Sequence, residues 1–292
     1  MTPAIGVLVA LGMIVIVPLG LRLLDTRGGP VGVIAQVWPL AGLAGATSLI
    51  VNRGATAVVL STIYAAVTVA LAGAAVERLW RRRSLAPAEI AVLTTMVAPS
   101  VAGISLVAER GGWQLLGFDL TVLALTVVHF HYAGFAAALI ASLIRTAVAT
   151  PWGAVPTLAV PAGIGIVFVG YFTGEQVELA GTVLLTVALW IAGWLLWRHV
   201  RPLSGERRTR ALFTVSAASL AVTMLLAVSW AAGHVWDVAH LSLSWMAATH
   251  GVVNAVGFAG CGLLAWRLLQ RERSATQPGP APGHAPDVDL AT

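Results

Sequence analysis

Charge is scarce in this sequence: Asp, Glu, Lys and Arg together make up 10% of 292 residues, against 58% hydrophobic residues. A water-soluble domain of this size needs charged side chains over much of its exterior, so the composition and a mean hydropathy of +0.88 exclude one. Lysine is absent, and all 17 basic residues are Arg. Arg and Lys serve equally in setting membrane topology, so this is a compositional habit rather than a sign of a partner. Cysteine occurs once, at Cys261 inside the last apolar run, which excludes an internal disulfide and any CxxC metal or redox site. No Walker motif, dinucleotide fingerprint or nucleophile with an adjacent base is visible, which argues against a hydrolase or an ATP-driven pump, and nothing marks the chain as an enzyme. No fixed-period repeat is visible, although a diverged inverted repeat would escape the eye. No basic stretch precedes the first apolar run from Ile5 to Leu24, and Arg22 stands at its far end, so it reads as a retained helix with its N-terminus outside.

What is present is a succession of apolar runs long enough to cross a bilayer as helices. Spans are expected at about residues 4 to 24, 31 to 51, 55 to 79, 87 to 108, 118 to 144, 155 to 173, 179 to 198, 211 to 232 and 243 to 268. The expected fold is an all-α bundle of about nine spanning helices. Fifteen of the 17 arginines then fall on one side, which the positive-inside rule makes cytoplasmic, together with the C-terminus. The exceptions are Arg53 and Arg110. These arginines sit beside hydrophobic segments and face anionic lipid head groups, so the net charge of +5 does not indicate nucleic acid. Trp80, Trp113, Trp152, Trp194, Trp197, Trp230, Trp236, Trp245 and Trp266 fall near expected helix ends, where indole rings anchor, whereas Trp38 and Trp190 lie deeper. The membrane region is expected over residues 1 to 273. Residues 274 to 292, rich in Pro, Ala and Gly, read as a disordered cytoplasmic tail that carries His284.

Polar residues at membrane depth are costly and so mark candidate sites. Glu77, Glu89, Glu109 and Asp119 sit within about a turn of a helix end, which is the ordinary place for an acid, and Glu89 and Asp119 open their helices, where the positive end of the macrodipole favours a carboxylate. Glu175 and Glu178 are expected in an external loop, solvated, or attracting cations at a pathway mouth. The fifth span carries His129-Phe130-His131-Tyr132-Ala133-Gly134-Phe135 roughly 11 to 13 residues from its outer end, close to the midplane. Positions i and i+2 of a regular helix point about 200° apart, so His129 and His131 cannot share one metal from an unbroken helix. The ninth span carries Thr249-His250-Gly251-Val252-Val253-Asn254-Ala255-Val256-Gly257-Phe258, with His250 and Asn254 on one face at a depth that overlaps the first cluster. Spans five and nine are therefore expected to be neighbours, with His129 or His131 near His250 and Asn254. Hydrogen bonds that merely hold helices in register are the competing account, at about 0.6 to 2 kcal/mol each. His234 and His240 flank the last external loop as a lid or as solvated residues. The sixth span, with Pro156, Pro161, Gly163, Gly165 and Gly170, is either locally broken or a tightly packed small-residue helix.

At the two quoted clusters the sequence resembles the YndJ-like family of bacterial multi-pass membrane proteins, over nearly the whole membrane region. The resemblance implies a polytopic protein of the bacterial plasma membrane, loosely labelled a transporter. It supplies neither cofactor nor substrate. The leading expectation is a transporter or permease in which His129, His131, Tyr132, His250 and Asn254 line a site for a small molecule or proton. Histidine suits a proton carrier because its ordinary pKa lies near neutrality. A haem- or metal-binding redox protein, with imidazoles from spans five and nine as ligands, is the second reading. An assembly subunit without chemistry is the third.

Overall fold

A computed structural model describes residues 2–24 and 29–276; the expected tail beyond 276, with His284, and Arg27 lie outside the described residues. Among these residues the chain contains helices and no strands. Nine helices are long and apolar enough to cross a membrane: α1 Pro3–Leu21, α2 Pro30–Ile50, α3 Ala55–Arg82, α4 Pro87–Gly111, α5 Leu120–Ala147, α6 Pro151–Thr173, α7 Glu175–Leu203, α8 Arg207–Trp236 and α9 Leu243–Ala275. Each overlaps an expected span, and the count agrees. The last helix continues to Thr276, so the first residues assigned to the tail prolong α9.

Local chemistry sets the ends. Pro stands in the first turn of α1, α2, α4 and α6, where its missing N–H costs nothing. Asp119 caps α5, its Oδ1 accepting from the amides of Thr121 and Val122 at 2.7 and 3.0 Å. Glu89 opens α4 and pairs with Arg78 of α3 through both carboxylate oxygens, which ties the α3–α4 hairpin. At the opposite end of α4, buried Glu109 takes Arg53 at 2.5 Å and Arg110 at 2.5 Å, while Arg110 also donates to the Ser48 carbonyl at 3.3 Å. The two arginines that break the positive-inside pattern thus share one buried carboxylate.

The fifth helix is the axis of the bundle: 83% of its most apolar stretch is buried, against 28% for α6. The sixth helix runs unbroken through Pro156 and Pro161. Its glycines serve contact rather than breakage. A Cβ on Gly170 would stand 2.4 Å from the backbone N of Glu178, and one on Gly181 would stand 2.6 Å from the backbone N of Val167, so α6 and α7 meet backbone to backbone. Because backbone cannot swing aside, Gly170→Ala is expected to cost about 1–3 kcal/mol. Gly165→Ala, whose Cβ meets nothing within 4 Å, is the matched control expected to be near neutral. Thermal unfolding of the two purified variants side by side checks this.

Of the expected tryptophan anchors, Trp80, Trp113, Trp152, Trp194, Trp197, Trp236 and Trp245 are exposed. Trp266 is not an anchor: it is 3% exposed and packs edge-on against Phe213, because the helix end it occupies is covered by α8. Of the two deeper rings, Trp38 is buried, whereas Trp190 is exposed on the outer surface of the bundle.

Candidate intramembrane site

The hydrogen-bond ladder widens to i→i+5 spacing at Gly12–Ile16 in α1, at Phe130–Ala137 in α5, at Leu196–Val200 in α7, and at Ala247–Gly251 and Val253–Gly260 in α9. Such wide turns are rare and recur at functional positions. Here three of the five fall on the two sequence clusters, and the widened segments of α1, α5 and α9 touch one another. The expected neighbourhood of spans five and nine is therefore observed, with α1 joining it.

The two histidines of α5 part company, as their i, i+2 spacing requires. His131 is fully buried and turns toward α1 and α3. Its Nδ1 donates to the Val127 carbonyl at 2.7 Å, which leaves Nε2 as the acceptor for the Tyr64 hydroxyl at 2.5 Å. Tyr64 meets Trp38 edge-on at 5.6 Å, and the Trp38 indole donates to the Met13 carbonyl, in the widened turn of α1, at 2.9 Å. Gly12 makes room for the imidazole, since a Cβ there would stand 2.8 Å from its Cγ. Both ring nitrogens of His131 are thus occupied within the protein. The residue locks three helices together and does not line the cavity.

His129 faces the other way. It lines a cavity of about 420 Å³ together with Tyr132, His250 and Asn254. Its Nδ1 donates to the Leu125 carbonyl at 2.8 Å, and Nε2 makes no hydrogen bond among the described residues. Tyr132 donates to the Leu8 carbonyl at 2.8 Å, anchoring α1 at the cavity wall. His250 donates from Nδ1 to the Thr223 carbonyl at 2.8 Å and accepts at Nε2 from the Asn254 amide at 3.1 Å. The Thr223 hydroxyl lies 2.9 Å from Asn254 Oδ1 and 2.8 Å from the Ser219 carbonyl. One hydroxyl proton serves one acceptor at a time, which gives this chain two arrangements. With the proton on Ser219 and the amide turned over, Asn254 donates to Thr223 and its oxygen accepts from a doubly protonated His250. The network can take up a proton with every group still bonded.

The cavity lies among α1 and α4 to α9, in the half of the bundle that holds the N-terminal end of α1. Its volume is that of a small-molecule site, and its lining is mostly apolar with few polar groups, as such sites are. Glu178 was expected in an external loop, solvated or attracting cations at a pathway mouth. It stands instead in the first turn of α7, half-buried, and lines the cavity, because α7 begins at Glu175 directly after the Gly174 turn. His234 and His240 stack with ring centroids 4.4 Å apart, and His234 lies 4.2 Å from the ring of Trp230, itself a lining residue. Thr223 of α8 was missed, since a hydroxyl in an apolar helix carries no signal until its partners are known.

The redox reading needs open imidazole nitrogens facing a shared ligand. Both nitrogens of His131 and His250 are engaged, and no group of three or more His, Cys, Asp or Glu suited to a metal occurs among the described residues. The donor set does not favour that reading.

Comparison with known proteins gives one family. The family model described as YndJ-like protein matches residues 7–258, which include both histidine clusters. The curated protein named "Uncharacterized membrane protein YndJ" from Bacillus subtilis (strain 168) is 23% identical over 243 residues, covering 80% of this chain and 42% of that protein. The chain thus spans less than half the length of this relative. No solved structure gives a significant match.

Proposed function

We propose, from the premise that this chain belongs to the YndJ-like family and is a multi-pass membrane protein, that the bundle is a permease-type transporter. Its central site is the cavity that His129 of α5 shares with His250 and Asn254 of α9. That shared cavity is the observation on which the reading rests. The arginine distribution supports an orientation in which the cavity opens to the outside and the floor near Ala137 and Phe258 separates it from the cytoplasm. His129 offers a cargo its unengaged Nε2, and the Ser219–Thr223–Asn254–His250 chain provides a place to hold a proton while cargo is bound. His131 and Tyr64 keep α1, α3 and α5 in register, so His131 is a positioning residue in this scheme.

Transport demands that the same wall be reached from each side of the membrane in turn. The single native thiol makes this measurable: in a Cys261→Ser background, Ala133→Cys on the cavity wall is expected to react with a membrane-impermeant thiol reagent both in intact cells and in inside-out vesicles. Labelling from one side only, under every condition tried, would contradict transport and leave a binding or assembly protein.

A further inference from the structure

Three features of the cavity bear on what enters it. Its lining is apolar over most of its extent, so the occupant has an apolar body. Among the described residues no Arg lines it, and Glu178 is the only Asp or Glu that does. Most of its polar groups are satisfied internally: the Tyr132 hydroxyl by Leu8, and His250 by Thr223 and Asn254. The Glu178 carboxylate makes no hydrogen bond or ion pair among the described residues, although His234 and Tyr171 lie within electrostatic reach of it. Tyr171 and Phe118 meet edge-on at 5.8 Å, and with Trp230 they supply aromatic lining at the same end of the cavity.

An unpaired carboxylate beside aromatic faces, above an apolar chamber, is the chemistry that recognises organic cations. An anion would find no guanidinium there, and a hydrophilic solute would leave its polar groups unpaired against the apolar wall. We propose that the cavity binds an amphipathic organic cation, with Glu178 as counter-charge, Trp230 and Tyr171 against the cationic group, and the apolar body against the apolar wall around Ile164, Leu189 and Ala227.

This inference rests on the reading of the cavity as a binding site, and the test separates the two. Tetraphenylphosphonium and tetraphenylborate share shape and apolar surface but carry opposite charges. Binding of each to the full-length protein in nanodiscs of zwitterionic lipid is measured after subtraction of empty nanodiscs. Wild type is expected to bind the cation at least tenfold more tightly than the anion. Glu178→Gln is expected to weaken cation binding tenfold or more, Glu178→Asp to retain it, and Ala227→Trp, which fills the chamber, to abolish it. Equal binding of both probes, lost in Ala227→Trp, would overturn the cation assignment while leaving the binding cavity intact. A cation preference that survives in Glu178→Gln would overturn the role of Glu178. Binding of neither probe to wild type would overturn the cavity reading as well. If Glu178→Gln fails to fold, the contrast between the two probes on wild type still decides the sign of the charge.

Discussion

Glu109→Ala is expected to destabilise the folded protein by about 3–5 kcal/mol, the range for removing one partner of a buried ion pair. The carboxylate is fully buried and serves two guanidiniums, with Arg53 on Oε1 and Arg110 on Oε2. Removing it strands Arg110, which is 5% exposed and has only the Ser48 carbonyl, at 3.3 Å, as a further side-chain partner. The clamp between the α2–α3 connection and the end of α4 then fails at its centre, while the amide of Gly54 on the Arg110 carbonyl remains. Arg53→Ala should cost less, within about 1 kcal/mol, because that side chain is 41% exposed and Glu109 keeps Arg110 on its other carboxylate oxygen. Unfolding titrations in mixed micelles measure both. Equal losses in the two variants would contradict the buried Glu109–Arg110 pair as the centre of the clamp.

His131→Ala should be the second large loss, about 2–4 kcal/mol, and it should be a loss of stability rather than of binding. The substitution empties a fully packed volume beside Gly12 and strands the buried Tyr64 hydroxyl, so a packing term adds to a hydrogen-bond term of about 0.6–1.7 kcal/mol. Tyr64→Phe isolates the hydrogen bond and should cost only that smaller amount. His129→Ala should leave stability within about 0.5 kcal/mol, since it deletes an exposed ring whose one bond is to its own helix. The same change should weaken whatever occupies the cavity. Two histidines two residues apart would then give opposite phenotypes, one in unfolding and one in binding.

The membrane architecture was largely legible from the sequence because apolar run length and arginine placement are local signals. Nine expected spans correspond to nine such helices among the described residues. The split between His129 and His131 was legible in part: i, i+2 spacing dictated opposite faces, but only the fold shows which face holds the cavity. Tyr64 is 67 residues from His131 and sits in an otherwise ordinary apolar helix, so no local pattern announced their bond. Thr223 and Ser216 were invisible for the same reason, their bonds to α9 being long-range in sequence. Glu178 was misplaced because the α6–α7 connection is a single tight turn at Gly174, where φ is 134°, and no loop intervenes for the carboxylate to occupy. The Trp266 reading failed because an indole near a helix end is an interfacial anchor only when no neighbouring helix covers it.

Helices α5 and α9 present His129 and His250 to one space while His131 is sealed in another. Nitrogen NMR of labelled histidines in lipid, comparing wild type with the cavity-filling Ala227→Trp, tests it without any ligand. The imidazole signals of His129 and His250 are predicted to shift, and that of His131 to hold its position as an Nδ1–H tautomer. A His131 signal that moves with the filled cavity while His129 stays still would contradict the assignment of the two faces.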